Sequence, residues 1–464
     1  MKTATRTILL LVAFVIASWL AFGPTVIPSP EHLHPQSAQR ALAVFVVCLS
    51  LWFTHSIPLA VTGMLAFALL PLLKVTEPQD AFKHLGSQAV MFMLGVFFLT
   101  AAMIATGLSK RLTLLLLHRM DSNPRDLFNG VLTASVVLAL CMPEHAVAAM
   151  MFPIVLEIVQ ALGLKPGRSN YARLLFLALA WGSVIGGVGT VLGGARAPLA
   201  ISFYNDFTGK HIGFFTWMIA ALPIVVILTV VARVLLPRLV PIDVTDVSRA
   251  TKMIRDRVAH LGKMRSVERR LLVLSLATIA CWIGLGHYPN IGLAVISIAS
   301  ACLLFALRIV TWNQIQDYIN WGVLLMYGGA LAIGGALHET EAMAYLVGQV
   351  FGQGFSPKVI MVLVALVALL LTECISNAAA VAVLLPIGYS ICQETNIDPL
   401  VMTLGVTIMA GLPFALPVSS PPHAIAFSSG YYSVSEAYKP GLIMNIFAVV
   451  VFVVVMLLYW PMIL

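Results

Sequence analysis

Four polar clusters sit in this chain where their apolar neighbours leave them least water. Pro143-Glu144-His145 interrupts an apolar segment spanning 127–160, and Ser376-Asn377 interrupts a second spanning 358–392. Arg196 lies in a glycine-rich break between Gly186 and Pro198, within the segment 173–205. Ser420, Pro422 and His423 lie in a break between Pro413 and Gly430, within the segment 401–430. Carboxylate, imidazole and guanidinium groups bind ions or move protons, and Ser hydroxyls and an Asn amide ligate a cation or hold an anion. An ionised Glu144 deep in lipid would cost ~2.5 kcal/mol or more unless paired, and Arg196 is the base that the facing break can bring to it. Plainer arrangements compete: Glu144 pairs with adjacent His145 to hold the tip, or Arg196 stretches to an interface. Glu373, just before the second cluster, reads either as a ligand or as a hydrogen-bond anchor. Glu144 and His145 as an acid/base pair would suit an enzyme, but no nucleophile or metal-ligand cluster accompanies them, so the chain is read as a non-enzyme.

The elements that position these groups are membrane helices. Of 464 residues, 60% are apolar and only 10% charged, and the mean hydropathy is +0.98. Soluble domains carry about 25% charged residues; so few charges would leave apolar surface uncovered in water. Lipid resolves this, because each helix satisfies its own backbone hydrogen bonds. The net charge of +8 does not point to nucleic acid, since Lys and Arg gather in short loops between apolar runs. The run Ile8–Phe22 follows Lys2 and Arg6 and is read as an uncleaved first span. The remaining runs give an all-α polytopic membrane protein of about 11 spans, with 127–160 and 358–392 as two re-entrant helical hairpins. No cofactor is expected, and no Walker A motif supports ATP-driven transport.

Loop charge sets the orientation. Residues 237–270 hold nine Lys or Arg against four acids, which predicts a cytoplasmic linker between halves 1–236 and 271–464. Lys110, Arg111, Arg119 and Arg125 before the first hairpin, and Lys165, Arg168 and Arg173 after it, place both its ends inside. The second hairpin is flanked by Lys358, Glu394 and Asp398, which places its ends outside. The N-terminus is then cytoplasmic and the C-terminus external, in a bacterial inner membrane. An offset of 233 lays Cys141, Ala146, Ala149, Pro153 and Ile154 on Cys374, Ala379, Ala382, Pro386 and Ile387, and an offset of 234 lays Gly95, Ala102 and Thr106 on Gly329, Ala336 and Thr340. Matches at a near-common offset with opposite orientation predict an inverted-topology repeat, an architecture of many secondary transporters.

Longer motifs add a resemblance. Thr372-Glu373-Cys374-Ile375-Ser376-Asn377-Ala378-Ala379, with Leu384-Leu385-Pro386-Ile387, is similar to the Ser-Asn-Thr hairpin motif of the divalent anion/sodium symporter family. Leu416-Pro417-Val418-Ser419-Ser420-Pro421-Pro422-His423-Ala424-Ile425 resembles its Leu-Pro-Val-Ala-Thr-Pro-Pro-Asn-Ala-Ile signature. Trp321-Gly322-Val323-Leu324-Leu325 and Ala148-Ala149-Met150-Met151-Phe152-Pro153-Ile154 fit as well, so the resemblance runs from about residue 40 to the end. It implies an elevator-type homodimer carrying di- or tricarboxylates or sulfate, commonly with sodium. It implies sodium and anion contacts at Ser376 and Asn377, with Ser420, Pro422 and His423 in the adjoining broken helix.

The sequence also departs from the family pattern. Ala378 stands where the second tip has Thr, and His423 where the broken helix has Asn. Pro143, Glu144 and His145 replace the whole first Ser-Asn-Thr, and Gly194-Ala195-Arg196-Ala197 falls near the first Thr-Pro-Pro-Asn. A fixed Arg196 paired with Glu144 would substitute for one sodium ion, with His145 able to carry a proton. The expected function is secondary transport of small divalent anions, coupled to sodium, to protons or to anion exchange. A carrier of a different, non-dicarboxylate solute on the same fold is the alternative.

Overall fold

The computed structural model of the chain describes residues 3–118, 123–286, 288, 291–343, 345 and 356–464; Arg119 and the end of the 321–349 run lie outside them. The described residues are helices and loops without a strand. Among the described residues, eight helices are long and apolar enough to cross a membrane, and five apolar helices are shorter. Breaks shorten several of the apolar runs. The 173–205 segment is two helices, Asn170–Val188 and Arg196–Thr208, and the 401–430 segment is Pro399–Ala410 and Pro421–Phe427.

In chain order the elements used below are α1 (Thr3–Phe22), α2 (Ser37–Thr54), α3 (Leu59–Leu72), α4 (Gln88–Thr106), α5 (Leu108–His118), α6 (Pro124–Ala139), α7 (Glu144–Ala161), α8 (Asn170–Val188), α9 (Arg196–Thr208), α10 (Phe214–Leu239), α11 (Ser248–His260), α12 (Ser266–Leu285), α13 (Gly292–Ala306), α14 (Trp321–Glu339), α15 (Pro357–Thr372), α16 (Asn377–Thr395), α17 (Pro399–Ala410), α18 (Pro421–Phe427) and α19 (Val434–Val454). Local chemistry explains several starts. Proline, whose fixed φ suits the first turn, opens α6, α15, α17 and α18. Asn123 and Asp398 accept from the first-turn amides of Arg125 (3.0 Å) and Leu400 (2.7 Å).

The spacing of 233 recurs in these boundaries: α3, α4, α6 and α7 start at 59, 88, 124 and 144, and α13, α14, α15 and α16 start at 292, 321, 357 and 377. Packing repeats too. Helix α3 lies on α14 as α13 lies on α4, and α6 lies on α8 as α15 lies on α17. The second piece of each broken span crosses to the other half, α9 onto α16 and α18 onto α7. The two halves are therefore interleaved, and neither has a complete core alone.

Two of these crossings depend on small residues. A Cβ at Gly329 would overlap the Gly63 backbone, and one at Gly95 would lie 2.6 Å from the backbone carbon of Ser297. Backbone cannot swing aside as a side chain can, so a larger residue must push the helices apart. Gly329→Val is expected to lose more than ~3 kcal/mol, at the upper end of overpacking costs, whereas Gly284→Ala, with nothing within 4 Å of its Cβ, should be neutral or better in its helix. Thermal melting of the purified variants checks this; equal melting temperatures would remove the close crossing as a constraint.

Candidate functional site

The tip of each helix pair is a short turn that ends the first helix and opens the second. Residues 140–143 separate α6 from α7, and residues 373–376 separate α15 from α16. Ser376 Oγ accepts from Ala379 N at 3.3 Å, so the second tip carries its own N-cap. Each tip is tied to the break of its own half. Glu144 N donates to Gly193 O at 2.8 Å, and Thr190 Oγ1 donates to Leu140 O at 2.8 Å. The starts of α7, α9 and α16 thereby converge, with the amide ends of their backbones favouring negative charge.

Glu144 and Arg196 meet at this convergence. Arg196 Nη1 lies 3.0 Å from Glu144 Oε1, with the two side chains 3% and 5% exposed. Such burial removes the option of Arg196 reaching an interface. Asn377, the residue 233 positions after Glu144, joins them. With its amide in one orientation Nδ2 donates to Glu144 Oε1 at 3.3 Å. Turned over, which matches donors to acceptors better, its oxygen accepts from Arg196 Nη1 at 3.3 Å and its nitrogen donates to Ser419 O at 3.2 Å and Thr372 Oγ1 at 2.8 Å. Either way the two tips touch through one charged pair. Space for the pair comes from missing side chains: a Cβ at Gly187 would overlap Glu144 Oε2, and one at Gly411 would overlap Arg196 Nε.

The second break is held differently. Glu373 accepts from three successive backbone amides, Phe414 N (3.0 Å) and Ala415 N (2.9 Å) on Oε1 and Leu416 N (2.9 Å) on Oε2. Asn445 from α19 donates to Glu373 Oε1 at 2.6 Å and accepts from Phe414 N at 3.0 Å. A carboxylate so used is a clasp on the 414–416 turn. Beyond that turn, Ser420 Oγ and His423 Nδ1 are 2.8 Å apart, and the buried His423 ring stands edge-on to Phe414. Pro422 is buried in the first turn of α18.

Glu144, Arg196 and Asn377 thus form one cluster, with Ser376 beside Asn377 at the tip. Ser420, Pro422 and His423 form a neighbouring group on the second break. His145 does not join either: its ring stands edge-on to Phe97 of α4, 6.5 Å between centroids, and no hydrogen bond links it to Glu144 or Arg196 among the described residues. Thr372, Asn445 and the glycines 187 and 411 were not singled out as site residues in the sequence. Asn445 had one signal, a lone amide inside the apolar run 441–463. Glu144 Oε2, Arg196 Nη2 and His423 Nε2 are buried without a hydrogen-bond partner among the described residues. They leave donor and acceptor capacity directed into the site.

A family model described as the sodium:sulfate symporter transmembrane region matches residues 2–464. The chain is 29% identical over 448 residues to the sodium-dependent dicarboxylate transporter SdcS of Staphylococcus saprophyticus, covering 90% of this chain and 86% of the relative. It is 26% identical over 461 residues to the SdcS protein of Staphylococcus aureus, covering 94% and 88%. In fold it is similar to the crystal structure of the Alcanivorax borkumensis YdaH transporter, with a TM-score of 0.53 and 13% identity over 99% of this chain and 98% of that one.

Proposed function

Because this chain belongs to the sodium:sulfate symporter family, a family of membrane transporters and not of enzymes, we propose that it is a secondary carrier of dicarboxylates. Tricarboxylates and sulfate are the neighbouring substrates to test. The names of its staphylococcal relatives support the dicarboxylate class and the involvement of sodium. In this reading, sodium enters as cargo beside Ser376, Asn377 and Ser420, whose side-chain oxygens suit a hard cation. At the first tip the Glu144–Arg196 pair takes the place of a second sodium ion. The anion is held between the tips by Asn377, Arg196 and the first turn of α18 with Pro422 and His423. His145, turned towards α4, serves as a proton carrier at the boundary with that helix.

The observation that carries this reading is the buried pair at 3.0 Å, joined to Asn377 of the other half. A guanidinium held beside the first tip neutralises Glu144 permanently, where a sodium ion would have to arrive and leave. Fewer sodium ions are then needed for each anion, and exchange without sodium becomes possible. The repeated helix boundaries support inverted halves, with α6–α7 and α15–α16 as re-entrant hairpins. Elevator movement of the hairpins and broken spans against a scaffold that includes α3, α4, α13 and α14 belongs to the same reading. The protein is proposed to act as a homodimer with its N-terminus cytoplasmic and its C-terminus external.

Uptake of labelled succinate, citrate and sulfate into proteoliposomes tests this reading under an inward sodium gradient, an inward proton gradient, and preloading with unlabelled solute. Sodium-driven succinate uptake with a lower sodium order than the staphylococcal relatives is the expected result. Uptake driven only by protons or preloading would remove sodium from the second site. No uptake of any of the three would withdraw the substrate class and favour a different solute on the same fold.

A further inference from the structure

A groove of about 720 Å³ lies open between α5 and α11, remote from the tips. One face of α11 lines it with Arg249, Lys252, Asp256 and Arg257, at helical spacing, and Lys110 and Leu114 face them from α5. The opposite face of α11 is buried through Ala250 and Ile254. Arg111, 7% exposed, fixes the width of the groove. Its guanidinium donates to Leu261 O (2.9 Å) and Gly262 O (3.0 Å) at the end of α11 and lies 3.1 Å from Glu268 at the start of α12. The cleft is therefore built into the fold and not a gap between loose helices.

Its charge is mainly basic: among the described residues Asp256 is the one acid lining it, against Lys110, Arg249, Lys252 and Arg257, and other nearby acids are engaged elsewhere. Asp243 caps α8, accepting from Asn170 N and Tyr171 N at 2.8 Å each, Asp246 is bonded to Ser248 N, and Glu268 is held by Arg111. Arg257 pairs with Glu157 of α7 at 2.8 Å. Lys110, Arg249 and Lys252 have no carboxylate within 4.0 Å among the described residues. The floor is apolar, with the half-buried Met253 and Leu261 and the buried Leu114. In the chain α11 follows the end of α10 and precedes the start of α12, two apolar helices, which argues for a place at a membrane surface.

We propose that this groove binds an anionic phospholipid, with Lys110, Arg249 and Lys252 holding the phosphate and an acyl chain lying along Met253 and Leu261. Basic pockets beside membrane helices suit anionic headgroups. The apolar floor favours a lipid over a soluble phosphate, which would gain nothing from it. Because Arg257 ties α11 to α7, the bound lipid steadies the basic segment against the first hairpin.

The purified full-length protein is melted in detergent with added phosphatidylglycerol, phosphatidylcholine or inorganic phosphate. Phosphatidylglycerol should raise the melting temperature by about 3 °C, as expected for a ligand at roughly a hundred times its Kd. The other two should leave it unchanged, and the triple variant Lys110→Gln, Arg249→Gln, Lys252→Gln should lose the rise. An equal rise with phosphatidylcholine, or a rise kept by the triple variant, overturns the proposal. A rise of the same size with inorganic phosphate overturns the lipid as occupant. Should the triple variant melt lower without lipid, Lys252→Gln is read by native mass spectrometry: reduced phosphatidylglycerol retention supports the site, and unchanged retention overturns it.

Discussion

Arg196→Met should leave little folded protein and no measurable uptake. The substitution keeps length and apolar packing but leaves the Glu144 carboxylate buried without its cation. Breaking one side of a buried ion pair costs ~3–5 kcal/mol, a large share of the ~5–15 kcal/mol that holds a typical domain folded. Asn377 offers Glu144 at most a hydrogen bond at 3.3 Å, which cannot replace a full charge. Glu144→Gln breaks the same pair from the other side: a Gln oxygen still accepts from Arg196 Nη1, but the guanidinium cannot shed its charge, so a loss of similar size is expected. The double variant Glu144→Gln, Arg196→Met separates structure from function. Replacing both partners of a buried pair is often neutral for stability, so melting should recover towards the unsubstituted protein. Uptake should not recover, because the fixed charge at the first tip is gone. Full recovery of uptake in the double variant would make the pair purely structural, and an unchanged Arg196→Met would remove it from the site altogether.

Much of this arrangement was legible because lipid makes polar residues conspicuous. Pro143-Glu144-His145 and Ser376-Asn377 stood out within apolar runs, and the helices restart at Glu144 and Asn377. The cost of a lone buried charge pointed to a partner for Glu144, but in the sequence Arg196 stood beside two alternatives, a Glu144–His145 pair and an Arg196 reaching an interface. His145 shows where local reading fails. Adjacent residues on a helix point about 100° apart, so a neighbour in sequence is seldom a neighbour in space; Glu144 turns to Arg196 while His145 turns to Phe97. The crossing of α9 onto α16 and α18 onto α7 left no local trace either. Those contacts join segments well over a hundred residues apart, and periodicity reports only which face of a helix is apolar. Gly187, inside the first break, and Gly411, just before the second, carried no mark of their own in the sequence; only the packed structure shows that a Cβ there would displace the ion pair.

Glu373→Ala is the second variant expected to fail badly, for a reason of backbone geometry. The break before α18 exposes the amides of Phe414, Ala415 and Leu416 in the interior, where water cannot serve them. One carboxylate answers all three at 2.9–3.0 Å and also accepts from Asn445. Each buried donor left unsatisfied costs ~1–3 kcal/mol. Phe414 N keeps Asn445 Oδ1 as an alternative acceptor, so two amides are orphaned outright and the loss should be ~2–6 kcal/mol. Glu373→Gln should fall between, since it keeps one acceptor oxygen but presents an NH2 group to a donor. Asn445→Leu should cost less than either, because Glu373 still holds the turn. This order, Ala worst, then Gln, then Asn445→Leu, distinguishes a clasp from an ion ligand. A sodium ligand would show its loss as a raised sodium requirement at nearly normal melting temperature. A clasp shows it as a lowered melting temperature, with uptake falling because Ser419, Ser420 and His423 lose their placement. Melting curves and sodium titrations of uptake on the three variants decide between them, and a Glu373→Ala protein that melts normally would end the clasp account.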